Sequence, residues 1–463
     1  MIRLLLAATL ALAIPPGVNA ESIALTGATV HTVSGPTLEN ATIVITDGRI
    51  AAVGTNAQVP AGATLVACAG KHIYPGFIDA NSVLGLVEVG SVRGTVDNAE
   101  TGDINPNIRA QVQINPESEL IPVVRLNGVT SSLVIPRGGT LAGSSGLIHL
   151  DGWTHEDMTI AAPVGLHIQW PNMTTVRNPF NPQGEEDQKK ARDESLRKLR
   201  DAFDDARAYQ KAIAAEGRAG IPRHDRDVKW DAMVQALAGD IPVMFHAQRL
   251  NQIRAALKFA DEQGLQRIVL VGGDDADLML DELKERQIAV IAGPTLELPN
   301  RSWEAYDKPM ALPGKLAAAG IPFCVSNGGA TDNSASNGRN LPYQAAMAAA
   351  YGLPKDEALR SITIYPARLL GVADKVGSIE AGKVADLVVT NGDPLEIMTT
   401  VEQVYINGKP VSMETRQTRL FRKYDQRPRK AKTVTQQTSR KSGGNGGGAT
   451  GAAPESGTEG GSR

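Results

Sequence analysis

Histidine binds metals and moves protons near neutral pH. This sequence has seven, at positions 31, 72, 149, 155, 167, 224 and 246. His246 ends the compact apolar run Ile241-Pro242-Val243-Met244-Phe245. A histidine there is either a ligand or a hydrogen-bonded side chain in a polar pocket, and the second reading is preferred. Polar groups that could act as acids, bases or ligands gather in three places. They are Glu88, Arg93, Asp97 and Asp103; the pair Asp274-Asp275; and Asp332. Gly138-Gly139 through Gly146 could cradle a phosphate, but it lacks the Lys-Ser/Thr that completes such a loop, so a plain flexible loop is expected. Cys68 and Cys324 fall in segments assigned to different domains, so two buried, unpaired thiols are expected.

The elements that must position these groups change texture along the chain. Residues 22 to about 70 read as short strands, with Ala41-Thr42-Ile43-Val44-Ile45 ahead of the turn Asp47-Gly48. Residues from about 376 to 412 read alike: Asp386 to Val389, then Val404-Tyr405-Ile406 and the turn Asn407-Gly408. Two such segments can pair into one small β domain. Between them strands alternate with helices. Ile241–Phe245, Ile268–Val271, Ile288–Ala292 and Ile321–Val325 are strands, and Asn251–Gln263 and Asp275–Arg286 are helices. That alternation predicts an α/β fold, a (β/α)₈ barrel at this length. A doubly wound open sheet is the alternative, without a Gly-x-Gly-x-x-Gly turn to support it. Residues 187–215 form a charged helix with Leu196, Leu199, Phe203, Ala206, Tyr209 and Ile213 on one face, expected to cover the barrel.

The 463 residues suffice for one large domain and a smaller one. A net charge of -3 argues against nucleic acid as a partner. Residues 1–20 read as a cleaved signal peptide: Arg3, an apolar run from Leu4 to Ile14, then Val18-Asn19-Ala20. A periplasmic or secreted protein without a membrane span is expected. Residues 426–463, basic and then Gly-rich, are expected to be disordered. The domains are thus 21–72 with 376–412, and 73–375.

Three passages resemble the amidohydrolase superfamily, and imidazolonepropionase-like members in particular. Tyr74-Pro75-Gly76-Phe77-Ile78-Asp79-Ala80 is similar to the opening of that family's first barrel strand, Pro-Gly-Phe-Ile-Asp-x-His-x-His. Gly377-Ser378-Ile379-Glu380-Ala381-Gly382-Lys383-Val384-Ala385-Asp386-Leu387-Val388-Val389 matches its return to a small β-sandwich-like domain. Ile241 to Ala247 is similar to its fifth strand.

The resemblance implies one or two divalent metals at the C-terminal mouth of the barrel, activating water against a carbon–nitrogen bond. It also implies a ligand set that this chain departs from. Asn81 and Val83 stand at the strand-one histidines, Gly272 and Gly273 at the strand-six histidine, and Asn327 at the strand-eight aspartate. No two histidines lie two residues apart. His246 survives, with His167 near the place of the bridging lysine. The expectation is a degenerate metal centre with no cofactor, and a pocket of Asn81, His167, His246 and Asn327. The alternative is one zinc or similar ion on His246 and His167 in an active hydrolase. A small polar or peptide-like ligand, and an active amidohydrolase subunit or a second copy, are the expected partners.

Overall fold

The computed structural model describes residues 22–175, 184–218, 220, 222–328 and 334–427. The expected signal peptide, Asp332 and the tail from 428 lie outside them. The chain divides into a compact unit ending at Arg419 and a second unit from Leu420, helical in its described part as far as Asp425.

The N-terminal segment gives β1 (Ser22–His31), β2 (Thr37–Thr46), β3 (Arg49–Gly54), β4 (Thr64–Ala67) and β5 (His72–Pro75). The middle of the chain gives ten strands: β6 (Phe77–Ser82), β7 (Val129–Val134), β8 (Leu141–Ser144), β9 (Gly146–His149), β10 (Thr159–Ala161), β11 (Leu166–Gln169), β12 (Val243–Ala247), β13 (Ile268–Gly272), β14 (Ala289–Ala292) and β15 (Phe323–Val325). The last are β16 (Leu387–Thr390), β17 (Val401–Ile406) and β18 (Lys409–Pro410).

The early and late strands share one sheet in the order β18-β17-β16-β5-β1-β2-β3, with β4 on β1. Asp47-Gly48 and Asn407-Gly408 close its hairpins, all four residues having positive φ, the twist a two-residue hairpin turn needs. The strands form one hydrogen-bonded sheet in which β1, bulged along its length, pairs with β2, β4 and β5. Its core is continuous: Leu25, Ile43, Ile45, Ile73, Leu387 and Val389 pack together.

The middle strands form a mixed α/β arrangement. β11 to β15 run parallel in sequence order, and β6 pairs parallel with β7. One expectation needs correction here. The chain between β7 and β11 is antiparallel: β8 pairs with β11 and β9 with β7. Only Ser145 separates them, so residues 141–149 act as one bent strand serving two sheets. The physical reason lies in the connection. Six residues join β7 to β8, too few for the crossover helix a parallel neighbour requires. At the other seam, no ladder among the described strands joins β15 to β6. Instead Val325 N donates to Ser361 O (3.1 Å) and Ile78 N donates to Ile362 O (2.8 Å), so two residues stand between the strands.

The long helix runs Glu185–Ala215 and buries Leu196, Leu199, Phe203, Ala206 and Tyr209, with Phe203 edge-on to Phe259 at 5.3 Å. The helix expected at 275–286 is broken into Ala276–Leu278 and Leu280–Glu285. Cys68 and Cys324 are buried and unpaired. Among the described residues no helix is long and apolar enough to cross a membrane.

Candidate functional site at the strand ends

Parallel strands with buried backbones carry their reactive side chains at their C-terminal ends. β11 and β12 are in register, with His167 opposite Met244 and Gln169 opposite His246. That offset brings the two imidazoles together. His167 Nδ1 lies 2.8 Å from His246 Nε2, and both rings are buried. One nitrogen donates and the other accepts; the second nitrogen of His167, Nε2, is buried without a partner among the described residues. Burial, reinforced by the charge of Arg137, pushes the His167 pKa down to about 3 and lowers that of His246. Both are neutral near pH 7.

Asn81 and Asn327 meet through a third group. Asp79 Oδ1 accepts from Asn81 N (3.3 Å) and from Asn327 N (3.2 Å), tying the end of β6 to the residues after β15. Burial raises the Asp79 pKa to about 7 against the pull of those two bonds. Asn327 is oriented in turn: its Oδ1 accepts from Gln344 Nε2 (3.4 Å), on the helix Leu341–Ala350.

Arg137 connects the two pairs. Its Nη2 donates to Asn81 Oδ1 over a long 3.4 Å, and its charge acts on both histidines. Burial draws its pKa down to about 10, and its Nε is buried without a partner among the described residues. Its backbone is fixed: Arg137 N donates to Asn98 O at 2.7 Å. The glycines that follow are packed, which corrects the expectation of a plain flexible loop. A Cβ on Gly138 would sit 2.6 Å from Glu100 N, and one on Gly139 2.6 Å from Gly102 O.

Gln248, just past β12, fills the space beside Gly272 at the end of β13. A Cβ on Gly272 would lie 2.1 Å from Gln248 Oε1, and that oxygen is buried without a partner among the described residues. Asn81, Gln248, Gly272, Asp274, Lys308 and Gly328 line a cavity of about 270 Å³. Its outer wall is braced by an ionic cluster. Asp275 accepts from Arg301 Nη2 (2.7 Å) and Lys308 Nζ (2.6 Å), and Glu304 accepts from Lys308 Nζ (2.7 Å). Asp274 accepts from Asn300 Nδ2 (2.6 Å), and burial raises its pKa. Asp275, offered by the sequence as a possible ligand, is thus paired with cations. Asp103 is paired with Lys198 outside this cavity.

This donor set does not match a catalytic zinc site, which takes three protein ligands plus water. Two neutral imidazoles face each other with a guanidinium beside them. Among the described residues, no group of three His, Cys, Asp or Glu side chains is arranged to hold a metal ion. Of the four residues the sequence offered for one pocket, Asn81 lines this cavity, whereas His167, His246 and Asn327 are not among its lining residues; Arg137, Gln248 and Asp79 were not offered as pocket residues. Arg137 carried one signal: it is a lone cation directly after the apolar stretch Leu133-Val134-Ile135-Pro136.

Known proteins resemble this chain along most of its length. An amidohydrolase family model matches residues 310–411. The amidohydrolase tasK of Hapsidospora irregularis is 26% identical over 382 residues, 76% of this chain; the chain spans only 37% of that longer protein. The imidazolonepropionase of Brucella anthropi is 26% identical over 402 residues, covering 81% of this chain and 89% of its own length. Among solved structures, an amidohydrolase from Thermotoga maritima superposes with a TM-score of 0.73 at 28% identity, over 84% of this chain and 99% of its own. Molinate hydrolase shares the fold, with a TM-score of 0.53 at 17% identity, over 85% of this chain and 95% of its own. Family model, curated relatives and solved structure together support assigning the chain to the amidohydrolase superfamily.

Proposed function

We propose that this protein keeps the hydrolase framework of its superfamily but works chiefly as a binding protein, for a small polar or peptide-like ligand. Its metal centre is degenerate, and its catalysis is weak or absent. The two sheets are read as a barrel distorted at the 141–149 strand. The observation that carries the functional reading is Arg137. A fixed cation stands among neutral side chains where an amidohydrolase gathers anionic ligands around a dication. Like charges in a buried site are costly, so an arginine there disfavours metal uptake. Binding as the partner of an active amidohydrolase subunit, or of a second copy, belongs to the same proposal.

A second reading is favoured by one distance. His167 Nδ1 and His246 Nε2, at 2.8 Å, are close enough to share an ion, as an active carbon–nitrogen hydrolase with a rebuilt mononuclear site would require. Elemental analysis of protein purified without chelator separates the two. The expected result is zinc far below one per chain. Stoichiometric zinc, together with hydrolysis abolished by chelation, would establish the second reading instead.

Export is proposed from residues 1–20. The mature chain is then expected to begin near Glu21, in the periplasm or outside the cell. N-terminal mass spectrometry checks this, and an intact Met1 on the soluble protein would refute it.

A further inference from the structure

Three buried polar atoms have no partner among the described residues: Arg137 Nε, His167 Nε2 and, on the cavity wall, Gln248 Oε1. A folded protein rarely strands such atoms unless something else satisfies them. Arg137 is the most demanding. A guanidinium has five N–H donors and stays charged at physiological pH. Among the described residues its one side-chain bond is the long contact to Asn81, and no carboxylate neutralises it.

We infer that the cavity takes the carboxylate of a small organic acid, held by Arg137. Asn81 and Gln248 line its path. This deepens the binding reading given above and rests on it. The guanidinium supplies the positive charge that a metal supplies in catalytic relatives, and its planar fork suits two carboxylate oxygens.

The other charges nearby are already engaged. Glu304 is held by Arg301 and Lys308, and Asp274 by Asn300, so neither competes for Arg137. Asn81 both lines the cavity and touches the guanidinium, which places Arg137 one residue behind the wall. The 3.4 Å Arg137–Asn81 contact is a weak hold that a carboxylate displaces readily. At the mouth, Leu298 lines the cavity and is 84% exposed. It offers an apolar surface to the remainder of such a ligand, so an aromatic acid is a suitable probe.

The test uses the purified full-length chain at fixed ionic strength, with benzoate and acetate against benzamide and acetamide, titrated by calorimetry or ligand-observed NMR. Each acid is expected to bind at least about 10-fold more tightly than its amide, the scale of a charge-assisted hydrogen bond. Arg137→Gln is expected to erase that preference. Arg137→Lys, which keeps the charge, is expected to retain part of it. Circular dichroism confirms that both variants are folded. Acid and amide binding equally, a preference that survives in Arg137→Gln, or no binding of either acid at tens of millimolar would each overturn the inference. Zinc is measured on the same samples. Stoichiometric zinc with the acid preference intact would defeat the metal-poor reading and leave Arg137 in its role. Metal-free protein without the preference would do the reverse.

Discussion

Gly139→Ala is expected to destabilise the protein by about 3 kcal/mol, combining the cost of a disfavoured backbone conformation with that of overpacking. Gly139 has φ +74°, a conformation in which side chains are strained. A Cβ there would lie 2.6 Å from Gly102 O and 2.7 Å from Asp103 O. Backbone oxygens cannot step aside as a flexible side chain can, so the 99–103 loop must move. That loop adjoins Asn98, whose carbonyl holds Arg137 N, so the damage extends to the site. Denaturant unfolding reads the stability, and carboxylate binding reads the displaced guanidinium. A variant as stable as the parent would mean that the packing of these two loops is misread. The same physics explains why restoring a histidine at Gly272 would not recover the family's site: φ there is +93°, and Gln248 already fills the space.

Asp79→Asn is expected to change how stability depends on pH. The carboxyl titrates near 3.8 in the unfolded chain and at about 7 in the folded one. Between those values the native state binds more protons than the unfolded chain, so stability falls as pH rises. The contribution is fully present below about pH 4 and gone above about pH 7. At one unit per 1.36 kcal/mol it amounts to at most about 4 kcal/mol. His167 acts oppositely. Its pKa drops from 6.5 to about 3, so the unfolded chain takes the extra proton and stability rises with pH over that interval. His246 adds to this in the same direction. The difference between parent and variant isolates Asp79. Asparagine keeps an oxygen for the N–H groups of Asn81 and Asn327 but has no titrating proton. Relative to the parent, Asp79→Asn is expected to gain stability steadily from pH 4.5 to 7.5 in urea unfolding. Parallel profiles would show that Asp79 is ionised in the fold throughout.

Local pattern made much of this molecule readable in advance. The parallel run β12 to β15 followed from apolar segments spaced by helices, and the hairpin turns from Asp-Gly and Asn-Gly pairs, because both signals sit within a few residues of one another. The antiparallel return after β7 was not legible. Its cause is a short connection, while its apolar strands read the same in either direction. Motif positions drew attention to Asn81, His246 and Asn327; the structure ties Asn81 to Asn327 through Asp79 and pairs His246 with His167. Asp79 was in view as part of a motif, but its role as acceptor for two distant strands depends on tertiary contact. Arg137 escaped because an arginine in sequence is ordinarily a surface residue. Only burial without an anionic partner makes it conspicuous, and burial belongs to the fold.

The sheet order β17-β16-β5-β1 also bears on how the chain is made. The edge of β5 is covered by β16, which is encoded some 300 residues later, so at ribosomal rates of about 5–20 residues per second that edge waits roughly 15–60 s for its neighbour. During that interval the nascent chain displays an unpaired, apolar strand, Ile73-Tyr74-Pro75, to every other chain nearby. A holdase chaperone, or a delay in folding until synthesis ends, would protect it. Truncation before residue 387 would make the exposure permanent, turning a transient aggregation hazard into a lasting one.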